Sequence, residues 1–278
     1  MRYAICNELF QDWSFDRACE FSRRCGYTGL EIAPFTLAQL ASQVSAAERA
    51  NVLRTAQQHD LEIIGLHWLL AKTEGLGLTS ADPDIRRRTS DYLIELAQLC
   101  HDLGGHIMVL GSPQQRNLPP GMSHDQGMAH AAMVIDPIIE DLERLDVTLA
   151  LEPLGPQEGN FLLTADSGVE LIRHLGSPFV RLHLDVKAMS SERLAIDENI
   201  RRHAPWMVHF HANDPNRQGP GMGDVDFAPI FQALLDVGYD GWVSVEVFDY
   251  SPGIERLAEA SIEYMRRIEA EITRPRDA

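Results

Sequence analysis

The sequence lacks several features that mark common protein classes. No run of apolar residues approaches the roughly 18 needed to cross a membrane, and the N-terminal MRYAICNELF has no basic stretch ahead of a long apolar one. The four cysteines, Cys6, Cys19, Cys25 and Cys100, show no C-x-x-C spacing, and a chain of 278 residues needs no disulfide framework to fold. These absences favour a cytoplasmic protein with no membrane partner.

Positive charge is also scarce. The chain has 24 Lys and Arg against 41 Asp and Glu, which gives a formal net charge of -17. Because phosphate contacts need clustered cationic side chains, nucleic acid is disfavoured as a partner. No glycine-rich dinucleotide fingerprint or phosphate loop follows any apolar segment, so we expect an unphosphorylated small-molecule substrate and no nucleotide cofactor.

What the sequence does contain is an alternation of short apolar runs with amphipathic segments, repeated about eight times. The predicted strands are RYAIC, TGLEIAP, LEIIGLHW, HIMVLGS, TLALEPL, VRLHLDV, WMVHFHA and GWVSVEV. The predicted helices run from Ser14 to Cys25, Ser45 to His59, about Asp84 to Leu103, Asp125 to Leu145, Ala165 to Leu175, Ser191 to His203, Phe227 to Val237 and about Gly253 to Ile272.

Apolar strands that are each followed by a helix indicate a parallel sheet covered by helices. About eight such units in a chain of this length predict an α/β fold, a (β/α)8 TIM barrel formed by a single domain over residues 1–278. A doubly wound open sheet is the alternative.

Four of the predicted strands end on residues that can bind a metal, namely Glu152, Asp185, His211 and Glu246. In a barrel these ends converge on one mouth, where three carboxylates would repel one another unless a divalent cation neutralised them. The oxygen and nitrogen donors suit Mn²⁺, Mg²⁺, Co²⁺ or Zn²⁺. A single Glu at a strand end is more often a solvated rim residue, but four at equivalent positions favour a metal site.

Other polar residues are expected near this mouth. Strand alternation places His183 and His209 one layer deeper than the expected ligands, where a histidine is more often a hydrogen-bonded core group. His67, at the end of the third strand, is a candidate substrate contact or a packed polar side chain. The loop residues Glu158, Asn160 and Arg217 are candidates to reach over the mouth. The alternative for each is a solvent-exposed position.

The motifs E-P-L, H-L-D, H-A-N-D and V-E-V around the four strand ends resemble the xylose isomerase-like sugar isomerase/epimerase superfamily. Within it, the pattern is most similar to ketose 3-epimerases of the D-tagatose 3-epimerase type. The resemblance implies one divalent ion, with Mn²⁺ the first candidate, and it implies that Glu152, Asp185, His211 and Glu246 are its ligands. It also implies that Glu152 and Glu246 form the acid/base pair.

The same resemblance implies substrate contacts for Glu158 and Arg217, because E-P-L-G-P-Q-E and H-A-N-D-P-N-R keep the spacing from ligand to contact. The sequence departs from the pattern at one position. Those epimerases carry a histidine three residues after the Asp ligand, where this chain has Ala188 preceded by Lys187. The departure weakens the expectation of an ordinary ketohexose substrate.

The function expected on this basis is proton transfer between two glutamates through a metal-stabilised enediolate of a sugar or polyol-derived ketone. The same apparatus could also act as an aldose-ketose isomerase. If Lys187 acts on the substrate rather than forming a rim salt bridge, the protein would be a lyase, dehydratase or decarboxylase of an oxo-sugar acid.

Two further classes stay open. One is an abasic-site endonuclease with extra metal-binding histidines at the mouth, for which His67, His106 and His124 are available, although the acidity of the chain argues against it. The other is a non-catalytic sugar-binding protein, which the two facing glutamates disfavour. Family members commonly associate, so we expect a homodimer or homotetramer.

Overall fold

The computed structural model describes residues 1–274, in which eight parallel strands close into one barrel in the order β1 to β8. The strands are β1 Arg2–Cys6, β2 Gly29–Ile32, β3 Glu62–Leu66, β4 Ile107–Leu110, β5 Thr148–Leu151, β6 Val180–Asp185, β7 Met207–Ala212 and β8 Trp242–Val245. β1 pairs with β8 and closes the ring, which confirms the predicted (β/α)8 TIM barrel and excludes the open sheet. The last four residues of the predicted domain, 275–278, lie outside the described range.

Helices cover the outside of this barrel. They are α1 Phe15–Cys25, α2 Ala46–Gln58, α3 Pro83–Asp102, α4 His124–Ile135, α5 Ile139–Leu145, α6 Ala165–Leu175, α7 Val186–Met189, α8 Ile196–His203, α9 Phe227–Asp236 and α10 Ile254–Thr273. The predicted capping box forms at α2, where Ser45 accepts from the backbone N–H of Glu48 and its own N–H donates to the Glu48 carboxylate. No helix within residues 1–274 is long and apolar enough to cross a membrane.

Two predicted helices differ from the structure. The segment from Asp125 to Leu145 is interrupted by a 3-10 turn at Asp136–Ile138, because Pro137 has no N–H to donate and its ring would clash with the preceding turn. The helix expected from Ser191 begins only at Ile196. The serines before it instead bond backward to the one-turn helix α7, with the Ser191 hydroxyl donating to the carbonyl of Ala188.

The interior of the barrel is layered. Ala4, Ile64 and Trp242 form a small apolar cluster near the N-terminal ends of the strands, separate from the large apolar core that includes the strand faces turned toward the helices. Polar residues occupy the next level, where β6 and β7 pair His183 with His209 and Asp185 with His211. The register therefore stacks two levels of titratable side chains below the C-terminal mouth.

Candidate active site

A cavity of about 610 Å³ opens at the C-terminal ends of the strands. Six of the nine predicted site residues line it, namely His67, Glu152, Glu158, Lys187, Arg217 and Glu246. Its size falls in the range of small-molecule binding sites, and its place at the C-terminal face is where barrel enzymes carry out their chemistry.

Asp185 and His211 lie at the bottom of this site and are fully buried. One ligand atom from each of Glu152, His183, Asp185 and His211 lies within 4.8 Å of the others. Glu246 is outside that group, but its Oε2 is 3.1 Å from Nδ1 of His211. The structure thus brings the four expected ligands together around His211, and it adds the deeper His183 to them.

A buried arginine holds the backbone of Glu152 in place. The guanidinium of Arg116 donates to the backbone carbonyl of Glu152 and also to those of Leu110, Phe161 and Leu162. Gly111 makes room for the carboxylate, because a Cβ at that position would lie well inside contact distance of Glu152 Oε2. Burial lowers the pKa of Arg116 to about 10, although the nearby Glu152 and Glu158 oppose this shift.

Glu246 is held from the cavity side by a tryptophan. The indole Nε1 of Trp68 donates to Glu246 Oε1 at 2.7 Å, while Oε2 faces His211. Trp68 has a φ of 53°, in the left-handed region that bulky residues rarely adopt. Such strain is found where the surrounding structure requires a particular side-chain position, which here is the indole against Glu246.

Asp185 is fixed by two donors. The backbone N–H of Ala188 bonds to Oδ1 at 2.7 Å and the amide of Asn213 bonds to Oδ2 at 2.5 Å. The first of these bonds caps α7, so Ala188 contributes its backbone N–H to the site. The aspartate is therefore oriented before any ligand binds.

Lys187 forms the salt bridge that the sequence left as one of two interpretations. Its Nζ lies 2.6 Å from Glu158 Oε2 and 4.4 Å from the centre of the Phe248 ring, and its side chain is only 13% exposed. Burial alone would lower the pKa of Lys187, but the charges of Asp185 and Glu158 outweigh burial and raise it. The residue stays a cation at the edge of the cavity.

The three remaining predicted substrate contacts, His67, Arg217 and Asn160, lie in different parts of the structure. His67 lines the cavity, is fully buried and bonds through Nε2 to Glu8 Oε2 at 2.7 Å. Arg217 lies at the rim, where its carbonyl accepts the N–H of Phe248 at 2.8 Å and so ties the loops after β7 and β8 together. The structure does not bring Asn160 into the cavity. Its exposed amide instead bonds the backbone N–H and carbonyl of Leu118.

The site concentrates negative charge. Burial, reinforced by Glu246 and Asp185, raises the pKa of Glu152 well above its usual value, and burial likewise raises the pKa of Asp185. Burial also opposes ionisation of Glu246, but the adjacent His211 outweighs it and lowers the pKa of that carboxyl. Both ring nitrogens of buried His183 have no hydrogen-bond partner. Three close carboxylates beside an unpaired imidazole fit a divalent cation and its oxygen and nitrogen ligands.

Sequence reasoning missed two buried carboxylates in this region, Glu8 just after β1 and Glu31. Glu31 on β2 is 1% exposed, and its Oε2 accepts from Nε2 of His209 at 2.8 Å and from Nε2 of His211 at 3.1 Å. The available signal was the single acidic residue inside the otherwise apolar segment TGLEIAP. The expectation that His183 and His209 lie deeper than the mouth agrees with their complete burial.

One of the three histidines considered for a nuclease site does not lie at the mouth of the barrel. His106 precedes β4, at the N-terminal end of the barrel, where its ring bonds the carbonyl of Asp146. The prediction that it lies on or near the mouth is therefore wrong, because it comes before its strand rather than after it.

Comparison with known proteins gives a consistent family. The model of the xylose isomerase-like TIM barrel matches residues 19–268. L-ribulose 3-epimerase of Mesorhizobium japonicum is 33% identical over 186 residues, a match that covers 66% of this chain and 61% of that relative. D-psicose 3-epimerase of Enterocloster bolteae is 25% identical over 253 residues, covering 89% of this chain and 82% of the relative.

The fold agrees with a solved relative as well. A crystal structure of D-psicose 3-epimerase in the presence of D-fructose matches with a TM-score of 0.85 at 22% identity, over 96% of this chain and 99% of that one. The resemblance to this superfamily and its ketose 3-epimerases is confirmed, and the prediction of a sugar epimerase enzyme agrees with the same relatives. With a family match over residues 19–268, the chain belongs to the xylose isomerase-like TIM barrel family.

Proposed function

We propose that the protein is a divalent-metal-dependent epimerase or isomerase of a ketose or a related keto-sugar. The observation that carries this proposal is the pair of buried glutamates, Glu152 after β5 and Glu246 after β8, that line one cavity. They stand three strands apart around the ring, with Asp185 and His211 on the two strands between them. Two carboxylates that approach a bound sugar from different sides can remove a proton from one face and return it to the other.

The ion expected at this site would be held by Glu152, Asp185, His211 and Glu246. When bound, it would supply the Lewis acidity that offsets the negative charge on the oxygens of a sugar enediolate. Mn²⁺ is the first candidate, and Mg²⁺, Co²⁺ and Zn²⁺ are the alternatives.

The chain's own residues would orient the two glutamates and the substrate. Trp68 and His211 fix the two oxygens of Glu246, so that carboxylate meets the substrate in one orientation. Arg116 fixes the backbone of Glu152, and Gly111 leaves the space that the Glu152 carboxylate occupies. Lys187 and Arg217 provide positive charge at the rim for the sugar's oxygens, while Trp68 and Phe248 supply aromatic surface.

Solvent deuterium tests this proposal directly. The Mn²⁺-loaded protein is incubated in D2O with a panel of free ketoses, aldoses, inososes and oxo-sugar acids, and the products are followed by NMR and mass spectrometry. Deuterium next to the carbonyl, with otherwise unchanged mass, is the expected result. The signal should disappear in Glu246→Gln and after chelation, and it should persist in Glu140→Gln, which changes an exposed carboxylate on α5. Absence of exchange with every sugar contradicts the proposal.

A lyase acting through the same enediolate is the second candidate, favoured by the partly buried cation Lys187 at the cavity. The salt bridge to Glu158 reduces this support, because it already accounts for the position of the ammonium group. Loss of CO2 or water from an oxo-sugar acid in the same panel would select the lyase.

A homodimer or homotetramer in the cytoplasm completes the proposal. The cytoplasmic location is supported by four free thiols, of which Cys6, Cys19 and Cys100 are buried. Light scattering of the purified protein measures the association state, and a monomer at working concentration contradicts that part of the proposal.

A further inference from the structure

The buried carboxylate of Glu31 is not one of the expected metal ligands, yet it is the most heavily bonded acid inside the barrel. Its two oxygens accept from His211 Nε2 at 3.1 Å each, and Oε2 also accepts from His209 Nε2 at 2.8 Å. β2 and β7 are not neighbours in the ring, so the Glu31 side chain reaches across the interior to meet them.

The arrangement distinguishes the two nitrogens of His211. Nε2 points down to Glu31, while Nδ1 points up to Glu246 at 3.1 Å, on the side of the cavity. A neutral imidazole has one N–H and one lone pair, and a carboxylate accepts only from the N–H. Both nitrogens of His211 face a carboxylate, so the ring without an ion can donate from both. An ion bound at Nδ1 would displace the proton there, and Glu31 would keep the remaining proton on Nε2.

The position of the His211 ring is fixed from the same side. His209 shares Oε2 of Glu31 and its other nitrogen, Nδ1, makes no hydrogen bond, so Glu31 is the only hydrogen-bonding partner of that ring within residues 1–274. The rings of His183 and His211 lie 4.1 Å apart in an edge-to-face contact, which closes the remaining side. Rotation of the His211 ring would break its bonds with Glu31.

We infer that Glu31 is a positioning residue, which orients His211 and fixes its Nε2–H tautomer so that Nδ1 is presented to the divalent ion. The inference rests on the proposed function, in which His211 is a ligand. Carboxylates that hold the far nitrogen of a ligating histidine typically change metal affinity by about 10- to 100-fold when removed. Glu31 would do this from a strand that carries no ligand itself.

The test compares Glu31→Gln with a matched variant, Glu8→Gln. Both remove the charge of a buried carboxylate that bonds an imidazole Nε2, but Glu8 bonds His67 and not His211. Metal affinity is measured by titrating Mn²⁺ into proteins that have been freed of metal with a chelator. The visible absorption of bound Co²⁺ reports the geometry around the ion. We expect Glu31→Gln to bind Mn²⁺ about 10- to 100-fold more weakly and to alter the cobalt spectrum, with Glu8→Gln within about 3-fold of wild type.

A measurement on the unmodified protein makes the test independent of variant folding. Nitrogen-15 NMR of the Mg²⁺-loaded, histidine-labelled protein identifies the tautomer of His211, with His211→Ala giving the assignment. The Nε2–H form is expected, and the Nδ1–H form overturns the inference. If Glu31→Gln does not fold, Glu31→Asp keeps the charge with a shorter reach. It should then bind Mn²⁺ about 10-fold more weakly, and unchanged affinity overturns the inference.

The outcomes distinguish a failure of this inference from a failure of the proposed function. If His211→Ala binds Mn²⁺ as tightly as wild type, the proposed metal site fails whatever Glu31 does. If His211→Ala loses the ion while Glu31→Gln keeps wild-type affinity and cobalt spectrum, the role of Glu31 fails and the metal site stands. Equal weakening in Glu31→Gln and Glu8→Gln would show a general effect of buried charge and would also overturn the positioning role.

Discussion

At the scale of single residues, the candidate catalytic groups are held by partners that carry no obvious motif. Glu246 is a clear example, because Trp68 fixes one of its oxygens through an indole N–H at a cost in backbone strain. Trp68 and Glu246 lie 178 positions apart in the sequence. Their contact depends on the loop after β3 meeting the end of β8.

Replacing Trp68 by Phe tests this contact. The ring stays to pack against Phe35 and Phe248, but the donor to Glu246 is lost. A hydrogen bond to a charged group contributes about 1.5 to 3 kcal/mol, so we expect kcat to fall roughly 10- to 100-fold with little change in KM. Steady-state kinetics on the sugar that turns over best in the deuterium panel give the answer.

The control is Trp13→Phe, which removes an indole from the aromatic cluster with Phe10 and Phe21, outside the residues that line the cavity. Its kcat should stay within about twofold of wild type. An equal decrease in both variants, or no decrease in Trp68→Phe, would contradict the role given to the indole.

The ion pair of Lys187 and Glu158 gives a second prediction at this scale. The pair is partly shielded and the ammonium also lies over Phe248, so a double-mutant cycle of Lys187→Met and Glu158→Gln should show a coupling of about 1 kcal/mol in unfolding free energy. Urea unfolding of the four proteins measures it. The exposed pair of Arg87 and Asp91 on α3 is the control, with a coupling of at most about 0.5 kcal/mol. A coupling near zero for Lys187 and Glu158 would show that the bridge does not stabilise the rim.

At the scale of the elements, the close approach of two neighbouring strands requires a glycine. β3 and β4 approach so closely that a Cβ on Gly65 would overlap the carbonyl oxygen of Ile107, and one on Gly105 would lie 2.9 Å from the Cα of Gly65. Because these neighbours are backbone atoms, no side-chain rotation relieves the overlap.

Gly65→Ala should therefore lower the free energy of unfolding by about 3 kcal/mol or more, since the two strands must move apart. Gly77→Ala is the matched control, because the nearest atoms to its Cβ are at 3.5 Å and the change should stay within about 0.5 kcal/mol. Urea titrations followed by circular dichroism compare the two. A Gly65 variant as stable as the control would mean that the strands do not approach this closely.

The elements also show what the sequence could predict. Local patterns were sufficient for all eight strands and for most helices, because apolar runs and capping residues such as Ser45 act over a few positions. The pattern from Asp125 to Leu145 continues across Pro137 and so predicts one helix where the structure has two, whereas α7 depends on Asp185 as a cap. Glu31 could not be assigned a role, since its partners on β7 are 178 and 180 positions away.

At the scale of the whole molecule, stability should depend on the protonation of buried thiols. Cys19 on α1 is fully buried, and burial raises its pKa from 9.0 to about 12. Above pH 9 the unfolded chain loses this proton while the folded protein keeps it. The unfolded state then binds fewer protons, so the free energy of unfolding falls as pH rises from about 9 toward 12.

Cys19→Ala removes this dependence. Between pH 8.5 and 10.5 the wild-type protein should lose about 1 to 2 kcal/mol more stability than the variant, from the thiol at position 19 alone. Urea unfolding of both proteins at the two pH values measures the difference. Parallel losses in the two proteins would show that this thiol does not titrate as its burial requires.

The placement of Trp68 has a further, practical consequence. Of the four tryptophans in the chain, Trp13, Trp206 and Trp242 are not among the residues that line the cavity, and Trp68 lines it with its indole on Glu246. Its fluorescence emission should therefore change when a sugar or an ion enters, whether or not a reaction follows. The protein carries its own optical reporter, so ligands can be ranked by binding before any turnover is known.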